Sequence, residues 1–161
     1  MIRLGKLLLA ALLGLGPGGC AFSTGFKGPG YVRGTGVTLP GDGPVVLSLT
    51  QAGLKPGAAG RRLFWERTDS IHRGLEAQPG LIGYALRRTL DGSMVWTMTV
   101  WQDEVALRAF LRSEAHRNAV KTAMEGVDSA VFARKTLPRS AIPIDWDAAL
   151  AILEREGYSY Q

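Results

Sequence analysis

The sequence predicts an α+β domain of the ferredoxin-like class, with its elements in the order βαββαβ. Four short alternating or β-branched runs are typical of strands, and two longer stretches carry apolar residues at helical spacing. In chain order these segments are residues 45–52, 61–75, 81–90, 93–101, 103–124 and 130–137. Connection rules for this order favour the split βαβ arrangement, and we place the domain at residues 44–138.

The first helix is recognisable from its start and from its apolar stripe. Lys55-Pro56-Gly57 interrupts the chain after the first strand, as a turn does. The residues that then follow at spacings of four, three and four are Phe64, Thr68, Ile71 and Leu75. This spacing predicts one buried helix face.

The second helix is predicted as a single piece that begins after Asp103, a suitable N-cap, and ends before Gly126. Pro138 closes the last strand. A further helix, capped by Asp145 and ended by Gly157, has no place in the minimal fold. We therefore assign residues 139–161 to a C-terminal helical extension.

Asp91-Gly92 joins the second and third strands and suits a two-residue type I′ turn. This turn would pair Leu86 with Thr97 and Tyr84 with Thr99. Since side chains alternate along a strand, the register divides the hairpin into two faces. The first carries Ile82, Tyr84, Leu86, Arg88, Thr97, Thr99 and Trp101, and the second carries Gly83, Ala85, Arg87, Trp96, Met98 and Val100.

Neither of these faces is plainly a water face, so both must be covered. The helices supply one layer, and we place them on the face with Gly83 and Ala85, where small residues leave room. The other face, with Tyr84, Thr97, Thr99 and Trp101, then needs a second cover. We expect this cover to be the sheet of a partner, which predicts a homodimer.

The N-terminus has the order of a secretory signal: positive charge, a short apolar run and small residues before Cys20, the only cysteine. It resembles a bacterial lipoprotein signal, although Pro17 stands where an apolar residue is usual. The resemblance implies that residues 1–19 are removed and that lipid on Cys20 anchors the protein in the cell envelope. The alternative is ordinary secretion into the periplasm or medium. Residues 20–43 are rich in glycine and predict a flexible tether.

Charge and motifs exclude several functions. Arg3 and Lys6 lie in the signal segment, so the net charge of +5 falls to +3 on the remaining chain. These charges are scattered, whereas a nucleic-acid-binding protein carries a concentrated basic stripe. The sequence has no metal-ligand spacing, no phosphate-binding glycine loop and no nucleophile elbow.

A resemblance is carried by four segments: Gln78-Pro79-Gly80-Leu81-Ile82-Gly83-Tyr84, Trp101-Gln102-Asp103-Glu104, Ala106-Leu107-Arg108-Ala109-Phe110 and Ser113-Glu114-Ala115-His116. They are similar to the antibiotic biosynthesis monooxygenase superfamily. This resemblance implies a dimeric α/β barrel with a pocket between helices and sheet. It also implies an oxygenase that requires no cofactor or is assisted by heme. The heme-degrading branch carries Asn, Trp and His where this chain has Thr50, Phe110 and Val120, so that activity is not carried over.

His116 is the candidate catalytic residue, because its helical spacing to Ala109, Ser113 and Val120 turns it inward. An imidazole can serve as base, acid or ligand near neutral pH. The candidate ligand-binding residues, placed in the pocket that the resemblance implies, are Trp65, His72, Gly83, Ala85, Trp96 and Met98. For Trp96 a structural role in the core is the competing interpretation, and His72 borders the polar side of its helix.

Two functions follow from these expectations. The first is an envelope-tethered monooxygenase acting on an aromatic or other hydrophobic small molecule. The second is a non-catalytic module that binds such a molecule, or heme, in the envelope. A purely structural dimer with a filled pocket remains a third interpretation.

Overall fold

The structure of the protein, a computed structural model, describes residues 21–159, except for the side chains of 58–60, 63, 67, 69–71 and 73. The predicted signal peptide, Cys20 and the side chain of Ile71 lie outside the described residues. Within the described part, no helix combines the length and the apolar character needed to cross a bilayer.

The architecture is one five-stranded antiparallel sheet with helices on both sides. The sheet contains β1 (Ala21–Ser23), β4 (Val45–Leu54), β5 (Leu81–Thr89), β6 (Met94–Trp101) and β7 (Val127–Leu137), in the spatial order β1-β5-β6-β4-β7. A small hairpin is formed by β2 (Tyr31–Val32) and β3 (Gly36–Val37). The helices are α1 (Ala58–Leu75), α2 (Glu104–Arg112), α3 (Glu114–Ala123) and α4 (Trp146–Glu156). The ferredoxin-like βαββαβ prediction is confirmed, and so is the helix that follows it.

The predicted second helix is broken at Ser113, which separates α2 from α3. Ser113 has extended backbone angles, and its N–H still bonds the Phe110 carbonyl at the end of α2. Its side-chain oxygen accepts from the His116 N–H at 3.2 Å and so caps α3. A serine hydroxyl can bond a backbone N–H that would otherwise bond within the helix. Apolar spacing carries no sign of this competition, so it did not predict the bend.

The hairpin register is as predicted near the turn, with Tyr84 opposite Thr99 and Leu86 opposite Thr97. A bulge between Leu81 and Gly83 shifts it further along, so Leu81 and not Ile82 pairs with Trp101. Ile82 therefore packs with Ala85 and Met98, on the face opposite to the predicted one. The turn type is wrong, because type I′ needs positive φ at both central residues and only Gly92 has it, at 68°. The Gly92 N–H bonds the Thr89 carbonyl at 3.0 Å instead. The Asp91 carboxylate accepts from the Ser93 N–H and hydroxyl, which holds this longer turn.

This turn predicts a pH-dependent stability. Hydrogen bonds from the Thr89 hydroxyl and from Ser93 lower the pKa of Asp91 from 3.8 to about 2. Because the folded state favours the carboxylate, its contribution is present above pH 4 and is lost as the pH falls toward 2. Urea melts of the wild type and Asp91→Ala should therefore differ at pH 6 and converge near pH 2. A constant difference would contradict the assignment.

The segment predicted to be a flexible tether is instead part of the folded domain. Ala21–Ser23 adds a strand to the free edge of β5, and the Lys27 and Tyr84 backbones exchange hydrogen bonds. Glycine allows this close crossing, because a Cβ on Gly28 would lie 2.3 Å from the Gly83 Cα. The irregularly spaced Phe26, Tyr31, Val37 and Leu39 pack on the sheet. Without periodicity, these apolar residues gave no signal of a folded segment.

The helices lie on the opposite face from the one predicted. Helices α1, α2 and α3 cover the face with Tyr84, Thr97 and Thr99. The face with Ala85 and Met98 is covered by the N-terminal segment and by α4, through Ala149, Ile152 and Leu153. The chain thus covers both faces itself. The homodimer stays a prediction, but its stated reason, an uncovered sheet face, is wrong.

Candidate functional site

A cavity of about 310 Å³ lies between the sheet and helices α1, α2 and α3. Its floor consists of hydroxyl side chains on the neighbouring strands β4 and β6: Ser48 opposite Thr99, and Thr50 opposite Thr97. The remaining lining is mostly apolar, with Phe64, Leu86, Leu107, Phe110 and Val127 among its members. Apolar walls with a few polar groups are the usual composition of a small-molecule site.

Three partly exposed apolar side chains in the lining mark the opening of the cavity. Val120 and Met124 are 36% and 46% exposed, and Tyr158 is 42% exposed. The backbone of Tyr158 pairs with Phe132 at the outer edge of β7. The segment after α4 therefore passes around this edge and places Tyr158 at the cavity.

His116 lies in the cavity wall at the start of α3, positioned by the Ser113 cap. Its ring contacts Phe110 with a centroid distance of 4.5 Å, and Phe110 stacks on the buried Trp101. Burial lowers the pKa of His116, while hydrogen bonding to the Leu111 backbone opposes this shift. His116 is thus neutral at pH 7, the form that accepts a proton.

A set of hydrogen-bonded polar side chains runs from the cavity to the protein surface. It begins at Tyr84, which lines the cavity and is 1% exposed. The Tyr84 hydroxyl donates to Glu76 Oε1 at 2.6 Å and lies 3.4 Å from His72 Nε2. Lys27 Nζ lies 3.4 Å from the same carboxylate oxygen. The pKa of Glu76 is lowered, most strongly by the hydrogen bond from Tyr84 and less strongly by the nearby Lys27 ammonium group. Burial, followed by the bond to Glu76, raises the pKa of Tyr84, which keeps this phenol protonated.

Tyr84→Phe should lower the free energy of unfolding by about 1.5 kcal/mol, the low end for a hydrogen bond to a charged group, because Glu76 is half exposed. Chemical denaturation of Tyr84→Phe, Glu76→Gln and the double variant measures the coupling. We expect the double variant to lose less than the sum of the single losses. Additive losses would contradict the bond.

Residues 49–122 match the family described as antibiotic biosynthesis monooxygenase. This part of the chain, 74 of its 161 residues, is therefore similar to an antibiotic biosynthesis monooxygenase domain. A conserved protein from Methanosarcina mazei Go1 has a similar structure, with a TM-score of 0.53 and 17% identity over 58% of this chain and 93% of that one. A protein from Shewanella oneidensis has a TM-score of 0.53 and 16% identity over 58% and 90%. A third, from Mycobacterium tuberculosis, has a TM-score of 0.51 and 19% identity over 63% and 96%.

At these identities the likeness shows the fold of the monooxygenase-like domain. No curated protein sequence matches the chain. Thr50, Phe110 and Val120 all line the cavity. These are the positions at which the heme-degrading branch carries its Asn, Trp and His.

The cavity brings together two of the predicted site residues, His116 and His72. Trp65 lies beside it rather than in its lining, with its ring against Phe64 at 5.5 Å and near the Arg88 guanidinium. Among the side chains that the structure describes, no three from His, Cys, Asp or Glu gather as metal ligands would.

The four remaining predicted ligand-binding residues lie on the other face of the sheet, so their placement in the cavity is wrong. Gly83 is small because Phe26 packs on it; a Cβ there would lie 2.6 Å from the Phe26 ring. Ala85 and Met98 are buried in the core beneath α4. The Trp96 indole N–H donates to Gln51 Oε1 at 2.8 Å on the neighbouring strand.

Sequence reasoning missed the hydroxyl floor and the Tyr84–Glu76 pair. A signal was present, since Thr97 and Thr99 alternate with the buried apolar residues Met98 and Val100. The alternation was interpreted as a half-polar dimer face. Glu76 follows α1 in a loop, where no sequence pattern connects it to a tyrosine on the next strand.

Proposed function

We propose that the domain is a monooxygenase-type enzyme that oxidises a compact hydroxylated aromatic molecule. The observation that supports this most is the apolar cavity with a hydroxyl floor and a neutral imidazole in its wall. At about 310 Å³ the cavity is at the small end of ligand pockets, which range over roughly 300–1,000 Å³. Apolar walls would hold the ring and exclude water.

In this proposal, His116 takes the proton from the phenol, because its burial keeps the imidazole neutral. The Thr97 and Thr99 hydroxyls orient the substrate oxygens. The electron-rich phenolate then reduces oxygen. The C–H group para to the phenol becomes a carbonyl, the phenol becomes the second carbonyl, and the other oxygen atom leaves as water. The substrate supplies all the electrons, so the step needs no further reductant.

Heme assistance is not supported by this cavity. A neutral His116 could ligate iron, but a four-pyrrole macrocycle with two propionates exceeds about 310 Å³. The Arg134 guanidinium, in the lining, is already paired with Glu104 at 3.2 Å. We therefore derive no step through heme.

The alternative is a non-catalytic module that binds the same class of molecule. It is favoured by the packing of His116 against Phe110, which gives the histidine a structural role. The two functions share the cavity and differ only in whether oxygen is consumed.

Oxygen uptake and equilibrium binding with a series of phenols and 1-naphthols that carry a free C–H para to the hydroxyl test both functions. The wild type should bind and consume oxygen, whereas Thr97→Phe, which fills the floor, should do neither. Val105→Phe is the matched control, because Val105 is 74% exposed on α2. Binding without uptake favours the binding module. Binding that Thr97→Phe leaves unchanged would overturn the cavity as the site.

We also propose that the protein works at the cell envelope, anchored through lipid on Cys20. The support is the charged, apolar and small-residue order of residues 1–19 before the cysteine. Intact-mass measurement of the membrane fraction should show an acylated N-terminal cysteine, and Cys20→Ser should lose it. An unmodified, soluble wild-type protein would overturn the anchor.

A further inference from the structure

We infer that one end of the sheet, next to the anchor, docks on the phospholipid surface. The docking patch consists of Phe22, Trp65, Arg88 and Leu90, from β1, α1, β5 and the hairpin turn. This inference rests on the proposed anchor. It adds which face of the domain contacts the lipid and how the domain is oriented on the bilayer.

The folded sheet begins immediately after the cysteine. Ala21 follows Cys20 in the sequence and is paired with Thr89, and Phe22 is paired with Arg88. An extended chain advances at most about 3.6 Å per residue, so acyl groups on Cys20 would hold Phe22 within about 7 Å of the modified residue. There is no spacer to lift this end of the sheet from the bilayer.

The side chains at this end are those that enter a lipid interface. Phe22 is 60% exposed and Leu90 is 54% exposed. Leu90 directly follows Thr89, the last residue of β5, whose partner in β1 is Ala21. Single exposed apolar residues are ordinary on soluble proteins. Here two of them lie beside the point at which the lipid would enter.

Arg88 supplies the matching charge. Its guanidinium lies 5.7 Å from the Phe22 ring centroid and 6.0 Å from that of Trp65. Arginine between aromatic rings can bind a phosphate through its donors while its plane stays stacked. Tryptophan and arginine favour the headgroup level of a bilayer, especially an anionic one. The partner that fits this patch is therefore a bilayer surface rather than a protein.

The test uses the full lipidated protein, purified in detergent and reconstituted in vesicles of phosphatidylethanolamine and phosphatidylglycerol. The vesicles also contain phosphatidylcholine with a nitroxide on its headgroup, which quenches nearby tryptophan. We expect quenching in the wild type that is absent in Trp65→Phe. The double variant Phe22→Ser, Leu90→Ser should lower this quenching by about twofold or more. Val32→Ser with Val105→Ser, at two exposed sites outside the patch, should leave it unchanged.

Hydrogen exchange of the turn around Leu90 gives a second readout, since docking should slow it in the wild type only. Two results would overturn docking and leave the anchor standing. The first is an acylated wild type that shows no quenching of Trp65. The second is quenching that the double variant Phe22→Ser, Leu90→Ser leaves unchanged. An N-terminus without acyl groups overturns both. Equal loss in the Val32→Ser, Val105→Ser control would also overturn the patch, because the effect would then be nonspecific.

Discussion

Gly83→Val should lower the free energy of unfolding by about 3 kcal/mol, the upper end for overpacking a well-filled core. A Cβ at this position would lie 2.6 Å from the Phe26 ring and 2.8 Å from the Lys27 carbonyl oxygen. The backbone on both sides is hydrogen bonded, because Lys27 and Tyr84 exchange their N–H···O bonds. The crossing strand therefore cannot retreat without losing these bonds. Urea denaturation followed by circular dichroism measures the change.

Gly43→Val is the matched control, because nothing lies within 4 Å of its Cβ and its φ is not in the left-handed region. We expect it to stay within about 0.5 kcal/mol of the wild type. If Gly83 instead lined a ligand pocket, Gly83→Val would reduce binding and leave stability nearly unchanged. That outcome would contradict the packing described here.

The largest functional effect is expected at His116. If the imidazole is the base, His116→Gln should lower kcat/KM for the oxidised phenol by about 10²–10⁴-fold, the usual contribution of a positioned base. Since burial lowers the pKa of His116 from its ordinary value, wild-type kcat/KM should be constant near neutral pH and fall only at a pH more acidic than an ordinary histidine would give. His116→Gln should lose this acid limb. Steady-state oxygen uptake across pH measures both effects.

Arg117→Gln is the control for His116→Gln, because it is the next residue on α3 and is exposed. It should keep the rate and the pH profile. An equal loss in both variants would indicate a disturbed helix rather than a lost base. A rate unchanged in His116→Gln would remove the imidazole from the chemistry and leave the cavity as a binding site.

Much of the fold could be predicted because its signals are local. The stripe that includes Phe64 and Leu75 marked α1, and both residues are buried in the structure. The separation of the two runs around Asp91-Gly92 set the hairpin register, which survived the wrong turn type. Asp145 and Gly157 marked the ends of α4. Each of these signals depends on neighbours within a few residues.

The site was predicted only where a helical stripe pointed to it. His116 followed from its spacing on the helix, and it lines the cavity. Trp96 and Met98 were predicted from the assumed side of the helices, and both lie on the other face. Tyr84 and Glu76 are joined by a hydrogen bond between a strand and a loop, and no periodicity connects them.

The sequence by itself determined the βαββαβ order, the hairpin register near its turn and the inward position of His116, because local spacing decides each of them. Only the tertiary structure decided which sheet face received the helices. Alternation shows that Gly83 and Tyr84 point in opposite directions, but it is symmetric between the faces. The choice depended on distant segments: Phe26 packs over Gly83, and α4 covers Met98. Covering that face left the hydroxyl-bearing face to α1, α2 and α3, and the cavity formed there.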